Sequence, residues 1–304
     1  MSTATLARTE FRAAGTDLSE RRRSGLSTGP MIDLAPTPDM AAIVWGADGA
    51  ARIGASVNIA TIAADAQLAR VYPGLVAAAG GLATPQVRTL ATIGGNLAQR
   101  SRCWYFRSPH IDCLKKGGAS CPARDGNHLF HVAFDLGPCI APHPSTLAAA
   151  LLAYEATVST DRRSELSVPQ LLGDGSDGRN DNQLGDGEFI KAIQLGAPLA
   201  GERALYKRAI GRTYAEWPLV EVVARAVVSG GSFQFVRITA GGIAPVPLRL
   251  ASAEAAAQGA PANAATAAKA AEQAIVGAKP LPMTAYKLDL LKGLVRDLLG
   301  GLAG

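Results

Sequence analysis

The sequence predicts an α+β protein in two units, a first at 1–172 and a second at 188–304, joined by a polar linker at 173–187. Three observations carry that prediction. Short strand-like and helical runs are interleaved through the first half. Residues 173–187 are dominated by Gly, Asp and Asn, the composition of a flexible connector. The second half opens with strands, including a period-two run at 233–240, and closes in an amphipathic helix over 283–299 in which Leu288, Leu291, Leu294, Val295 and Leu298 stand near helical spacing.

In chain order, Ala13-Ala14-Gly15-Thr16-Asp17 is a glycine turn opening onto a short helix, and 31–34, 43–46 and 51–57 read as strands. Thr61 caps a helix over 62–71 that Tyr72-Pro73 ends, and an alanine-rich helical run at 74–80 breaks at Gly80-Gly81. Residues 87–97 read as a β run that turns on Gly94-Gly95. The stretch 99–142 has little periodicity, and a loop of that length is uncommon unless something ties it down. Pro144-Ser145 caps a helix from Leu147 to Ala153, followed by a strand at 156–158. Beyond the linker, 189–195 and 204–208 read as strands, 217–229 as helix or strand, 241–247 as a turn, and 251–277 as helix broken near Gly259-Ala260-Pro261.

With 304 residues, 48% of them hydrophobic and 18% charged, the chain is globular and long enough to bury a core. A net charge of +5 without a basic stripe interleaved with aromatics argues against a nucleic-acid partner. No run of 18 apolar residues is present, so no membrane span is expected. Arg21-Arg22-Arg23 is not followed by an apolar stretch, so no secretory signal is read there. The expected location is the cytoplasm, where thiols stay reduced; the alternative is the periplasm, by export together with a partner.

All four cysteines, Cys103, Cys113, Cys121 and Cys139, fall within one 37-residue stretch spaced C-x9-C-x7-C-x17-C. Four thiolates from one loop suit a 4Fe-4S cluster or a tetrahedral zinc ion. Two disulfides, which need an oxidising compartment, and four unrelated buried thiols are the other readings. Lys115, Lys116, Arg102 and Arg107 lie close enough in sequence to offset thiolate charge. Asp174, Asp177, Asp181 and Asp186 lack the order of a calcium loop.

Two turns, Gly15-Thr16-Asp17 and Ile93-Gly94-Gly95-Asn96, offer successive backbone N–H groups. Such nests hold pyrophosphate, and glycine lets the backbone come close. Neither turn is a G-x-G-x-x-G or a P-loop. Four motifs then occur in order: Ala13 to Leu18; Ala91-Thr92-Ile93-Gly94-Gly95-Asn96-Leu97; Ala141 to Ala148, containing His143-Pro144-Ser145; and Tyr206-Lys207-Arg208…Arg212 with Gly241 to Arg249. With these motifs the chain resembles, over residues 11–300, the flavoprotein (medium) subunits of the molybdenum hydroxylases, the xanthine dehydrogenase, carbon monoxide dehydrogenase and aldehyde oxidoreductase family. The cysteine loop, with Arg102-Cys103-Trp104-Tyr105-Phe106-Arg107 and Gly117 to Ala123, is similar to the 4Fe-4S insertion of the aldehyde oxidoreductase type. The chain departs from the family pattern at Ala14, where a second glycine is usual, and at Thr146, where an aspartate is common.

The resemblance implies a vanillyl-alcohol-oxidase-like unit of two subdomains that holds FAD extended, then an antiparallel sheet with helices that covers the flavin ring. It places FAD on Ala13, Ala14, Gly15, Thr16, Asp17, Leu18, Thr92, Ile93, Gly94, Gly95 and Asn96, with Lys207, Arg208 or Arg212 supplying positive charge near the ring. It places a 4Fe-4S cluster on Cys103, Cys113, Cys121 and Cys139. It further implies a heterotrimer, or its dimer, with a large molybdopterin subunit that oxidises the substrate and a small 2Fe-2S subunit. In that assembly this chain passes electrons through FAD to an external acceptor and carries no catalytic residue of its own. The alternative function is a zinc-stabilised scaffold that has lost the flavin.

Overall fold

The computed structural model describes residues 8–211 and 215–304; Arg212 lies outside the described residues. Strands β1 (Glu10–Arg12) and β2 (Met31–Asp33) pair in parallel around helix α1 (Leu18–Arg23). Strands β3 (Ile43–Trp45), β4 (Ala51–Gly54), β5 (Thr157–Thr160), β6 (Leu166–Ser167) and β7 (Ile190–Leu195) form an antiparallel sheet in the order β3-β4-β7-β5-β6. Helices α2 (Ile59–Ala64), α3 (Ala66–Val71), α4 (Pro73–Gly81), α5 (Pro85–Leu90), α6 (Ile93–Ala98), α7 (Trp104–Arg107), α8 (Thr146–Ala153) and α9 (Val168–Leu172) complete the first unit.

Local capping chemistry explains where the observed helices differ from the expected ones. The single helix expected over 62–71 is two. Asn58 accepts from the Thr61 amide to start α2, and Asp65 accepts from the amides of Gln67 and Leu68 to end α2 and start α3. The β run expected at 87–97 is also two helices. Thr84 with Pro85 starts α5, Thr92 starts α6, and only Ala91-Thr92 between them is extended. Ser145 caps α8 by accepting from the Ala148 amide, as its sequence position suggests.

The second unit is an antiparallel sheet in the order β11-β10-β9-β8, built from β8 (Glu202–Ala209), β9 (Val220–Ser229), β10 (Ser232–Gly241) and β11 (Leu248–Arg249). The 217–229 ambiguity resolves as strand: seven residues of β9 from Val220 are buried, so both faces of the strand are covered. One side packs on α12 (Tyr286–Ala303), and α10 (Ala251–Ala257) and α11 (Ala264–Gln273) close the same core through Val222, Ala224, Ile238, Leu291, Val295 and Leu298. The other side packs on α4 and α8 of the first unit.

The stretch 173–187, expected as a linker, is clamped to the cysteine loop. The buried Asp181 carboxylate binds Arg100 at 2.5 Å and Lys115 at 2.7 Å, and β7, expected in the second unit, pairs with β4 and β5 of the first sheet. The cysteine loop is tied down by side chains of the second unit as well. Lys287 Nζ donates to the carbonyls of Gly242 and Phe130 at 2.7 and 3.2 Å, and Tyr286 donates to Leu129 O. Among the described residues no helix is long and apolar enough to cross a membrane.

A buried ion pair locks the units together. Arg225 of β9 meets Glu202 of β8 through two hydrogen bonds of 2.7 Å and donates to Ala153 O at the end of α8, with its guanidinium 4.5 Å from the Tyr154 ring centroid. Removing one partner of such a pair strands the other charge in the core. Arg225→Met is expected to lower the unfolding free energy by about 3–5 kcal/mol, measured by urea denaturation, and adding Glu202→Gln to recover part of that loss.

Candidate functional site

Three cavities that share lining residues make up a cleft. The first, about 80 Å³, lies between the Ala13–Asp17 turn and the Thr92, Gly95 and Gln99 side of α6. It shares Thr16, Asp17, Gly95 and Gln99 with a second cavity of about 260 Å³. That cavity in turn shares Arg102, Trp217 and Pro218 with a third of about 530 Å³.

The turn at the narrow end is open for binding. Gly15 has φ +73°, a conformation that favours glycine. Among the described residues, the amides of Ala14, Gly15 and Thr16 donate to no protein acceptor. The Asp17 carboxylate, by contrast, is fully engaged. Its Oδ1 accepts from Arg107 at 2.7 Å and faces Arg102 at 3.1 Å, while Oδ2 accepts from the Arg21 side chain and the Arg100 amide, each at 3.1 Å. Burial pushes this carboxyl up, but Arg102, Arg107 and Arg21 outweigh burial and hold it below the ordinary range. Asp17 therefore fixes the turn in place, and Leu18 beside it is buried core.

The second glycine motif is not a free nest. The amides of Ile93, Gly94 and Gly95 donate to Val57 O, Ala55 O and Thr92 Oγ1 at 3.0, 2.9 and 3.1 Å. Neither glycine has positive φ. A Cβ on Gly94 would stand 2.8 Å from the Ala55 Cβ, so this glycine seats α6 against the end of β4. A Cβ on Gly95 would meet only Thr92 Oγ1, at 3.1 Å, and Gly95 faces the cleft. Asn96 also faces the cleft, its Oδ1 accepting from Ser145 at 2.6 Å.

In the second unit, strand alternation corrects the expected cation. Lys207 points away from the cleft and pairs with Asp297 at 3.1 Å, both about half exposed (48% and 50%), whereas Arg208 lines the second cavity. The sequence reading missed Glu221, which is buried and lines the third cavity, where Tyr206 donates to it at 2.9 Å. The available signal was one acid in the apolar run Val220 to Ala224. Burial pushes its pKa up to about 7. The rim of the third cavity is aromatic and exposed at Trp104, Phe130 and Trp217, with the Arg102 guanidinium 4.9 Å from the Trp217 ring centroid.

All four cysteines are free of disulfides and line one small enclosed cavity with Tyr105, Phe106 and Lys115. Its volume, about 10 Å³, is that of a single water. Cys121 and Cys139 act on one another, which lowers Cys121 and raises Cys139. Burial pushes Cys103 up to about 11 and raises Cys113. Cys103 also lines the wide end of the cleft, with Sγ 3.2 Å from His131 Nε2. Burial lowers the His131 pKa to about 4. Among the described residues no three His, Cys, Asp or Glu side chains are arranged to hold a metal ion. The donor set suits a cluster by kind, but as packed it encloses too little space for one. His110 is exposed, and His128 is a loop clamp that donates from Nδ1 to Gly126 O and accepts from the Met283 amide.

Residues 4–198 match the family model described as FAD binding domain in molybdopterin dehydrogenase, and 205–301 match that of the CO dehydrogenase flavoprotein C-terminal domain. The two matches meet between β7 and β8, where one sheet ends and the next begins. The aldehyde oxidoreductase FAD-binding subunit PaoB of Escherichia coli K12 is 33% identical over 214 residues, 68% of this chain and 66% of that protein. The xanthine dehydrogenase FAD-binding subunit of Escherichia coli O157:H7 is 34% identical over 67 residues, 22% of this chain and 23% of that protein. The matched stretches thus span less than two thirds of these relatives' own lengths. The fold is shared with a chain of the carbon monoxide dehydrogenase of Hydrogenophaga pseudoflava (TM-score 0.73, 21% identity, 96% of this chain and 88% of that one). It is also shared with a chain of quinoline 2-oxidoreductase from Pseudomonas putida 86 (TM-score 0.74, 19% identity, 97% and 89%). An elongated cleft with a free amide turn at one end, inside a fold matched by both family models, places this chain in the family of FAD-binding subunits of the molybdopterin dehydrogenases.

Proposed function

We propose that this chain is the electron-transfer subunit of a molybdenum hydroxylase. It relays electrons from the 2Fe-2S clusters of a small partner through FAD to an external acceptor, beside a large molybdopterin subunit that oxidises the substrate. The single observation that carries this reading is the shape of the cleft. Three cavities that share lining residues lead from the amides at 14–16, which have no acceptor among the described residues, to a wide cavity rimmed by Trp104, Phe130 and Trp217, the arrangement an extended dinucleotide needs.

FAD, when bound, supplies the redox chemistry. The amides of Ala14, Gly15 and Thr16 bind the diphosphate, and Asp17 holds that turn against Arg102 and Arg107. Gly95 leaves the backbone of α6 uncovered on the other side. Arg102 forms the waist between the second and third cavities. The exposed aromatic rim at the ring end is an apolar surface of the kind a partner subunit covers.

The four cysteines are read as ligands of a 4Fe-4S cluster of the aldehyde oxidoreductase type. What supports this is the donor set: every thiol in the chain lines one cavity, and that cavity meets the flavin end of the cleft at Cys103. The four thiols have to move apart for a cluster to enter, since the cavity they line holds about 10 Å³.

Two outcomes test the proposal. Gly95→Val is expected to abolish FAD retention, read as loss of flavin absorbance in the purified chain, with the urea midpoint unchanged. Gly94→Val is expected to cost about 1–3 kcal/mol of stability through overpacking on Ala55. Full flavin in the Gly95 variant would refute the site. Anaerobically purified chain is expected to hold about four iron and about four acid-labile sulfide; stoichiometric zinc without sulfide would refute the cluster.

A further inference from the structure

Strand β9 carries one acid, next to its start at Val220, and the fold encloses it. Glu221 is 2% exposed, and it bounds the widest part of the cleft. Three elements close on its carboxyl. From β8, the Tyr206 hydroxyl donates to Oε2 at 2.9 Å, and the Arg208 charge acts on it. From α8, the Thr146 hydroxyl acts to lower the pKa values of both Glu221 and Tyr206. From β10, Gly241 makes room: a Cβ there would stand 2.5 Å from Oε1. Among the described residues Glu221 makes no ion pair at contact distance.

We propose that Glu221 is the proton-holding group of the flavin site, taking a proton from solvent as negative charge develops at the wide end of the cleft. This rests on reading the cleft as the FAD site. Enclosure of the carboxyl favours its protonated form, and it outweighs the Tyr206 donor and the Arg208 charge, which favour the carboxylate. In the flavin-free chain that balance lies at about 7. Negative charge beside the carboxyl raises it further. Bound FAD would supply the two-electron redox chemistry, with the electrons from an external reductant and its own proton from water; between those two values a further proton from water would pass to a Glu221 oxygen, and no bond within the protein breaks.

The test is a mediated reductive titration of the flavin-loaded chain across pH, comparing the native protein with Glu221→Gln. The two potentials are expected to coincide near about pH 6, where Glu221 is already neutral, and to separate above about pH 7, with the native chain lower. Tyr206→Phe removes a donor that favours the carboxylate, so it is expected to move the separation to higher pH. Parallel curves in flavin-loaded protein would overturn the coupling alone; a chain that takes up no flavin would overturn the site reading and the coupling with it.

A second readout needs no flavin. Because the folded pKa lies above the unfolded one, the stability Glu221 contributes is full below about pH 4.5 and is lost as pH rises through about 7. Urea midpoints of the flavin-free native chain are expected to fall across that window relative to Glu221→Gln. Matching pH profiles would show that Glu221 ionises as an ordinary surface acid and would overturn the proposal.

Discussion

The Asp17 carboxylate joins parts of the chain far apart in sequence, and the cleft depends on it. It fixes the end of the first glycine turn, accepts from the arginine of its own helix, and binds Arg102, Arg107 and the Arg100 amide at the start of the cysteine loop. Among the described residues the neighbouring amides at 14–16 have no intramolecular acceptor. A buried carboxylate with several cationic partners is costly to disturb, since removing it leaves the arginines facing one another without a counter-charge. One acid thus couples the narrow end of the cleft to the segment that carries the four cysteines.

The wide end is set by a different device. Helix α8 is buried on nearly every side, with β9 and β10 of the second unit packed against it. Thr239 donates to Ala149 O at 2.7 Å, Arg225 reaches Ala153 O, and at the other end of the helix Thr146 acts on the Glu221 carboxyl while Ser145 donates to Asn96. The same helix that holds the units together also brings the acid of β9 and the amide of α6 to the cleft. The clamp at Asp181 adds the third side by pinning Arg100 and Lys115 of the cysteine loop to the stretch before β7.

Much of this was legible in the residues, for reasons that are themselves physical. A serine after a proline ahead of an apolar run signals a helix start, and Ser145 is one. Four thiols confined to one segment converge because that segment folds on itself. Other features needed tertiary information. Gly94-Gly95 looks like an anion nest, yet its amides are taken by Val57, Ala55 and Thr92, and only the packing of α6 on β4 separates the structural glycine from the cleft-facing one. Lys207 and Arg208 differ by one position on a strand, and which of them faces inward is set by register with β9. The polar stretch at 173–187 has linker composition, but its Asp181 finds two buried cations that composition cannot foretell. Glu221 is invisible as a site until the strand is seen to border a cavity.

The central claim is that the amides of Ala14, Gly15 and Thr16 receive the diphosphate of FAD while those of Ile93 to Gly95 stay bonded within the protein. Amide hydrogen exchange of the flavin-free chain, with and without added FAD, tests this directly. The account predicts strong slowing at 14–16 on FAD addition and little change at 93–95. Slowing at 93–95 with none at 14–16, or no change at either, would contradict it.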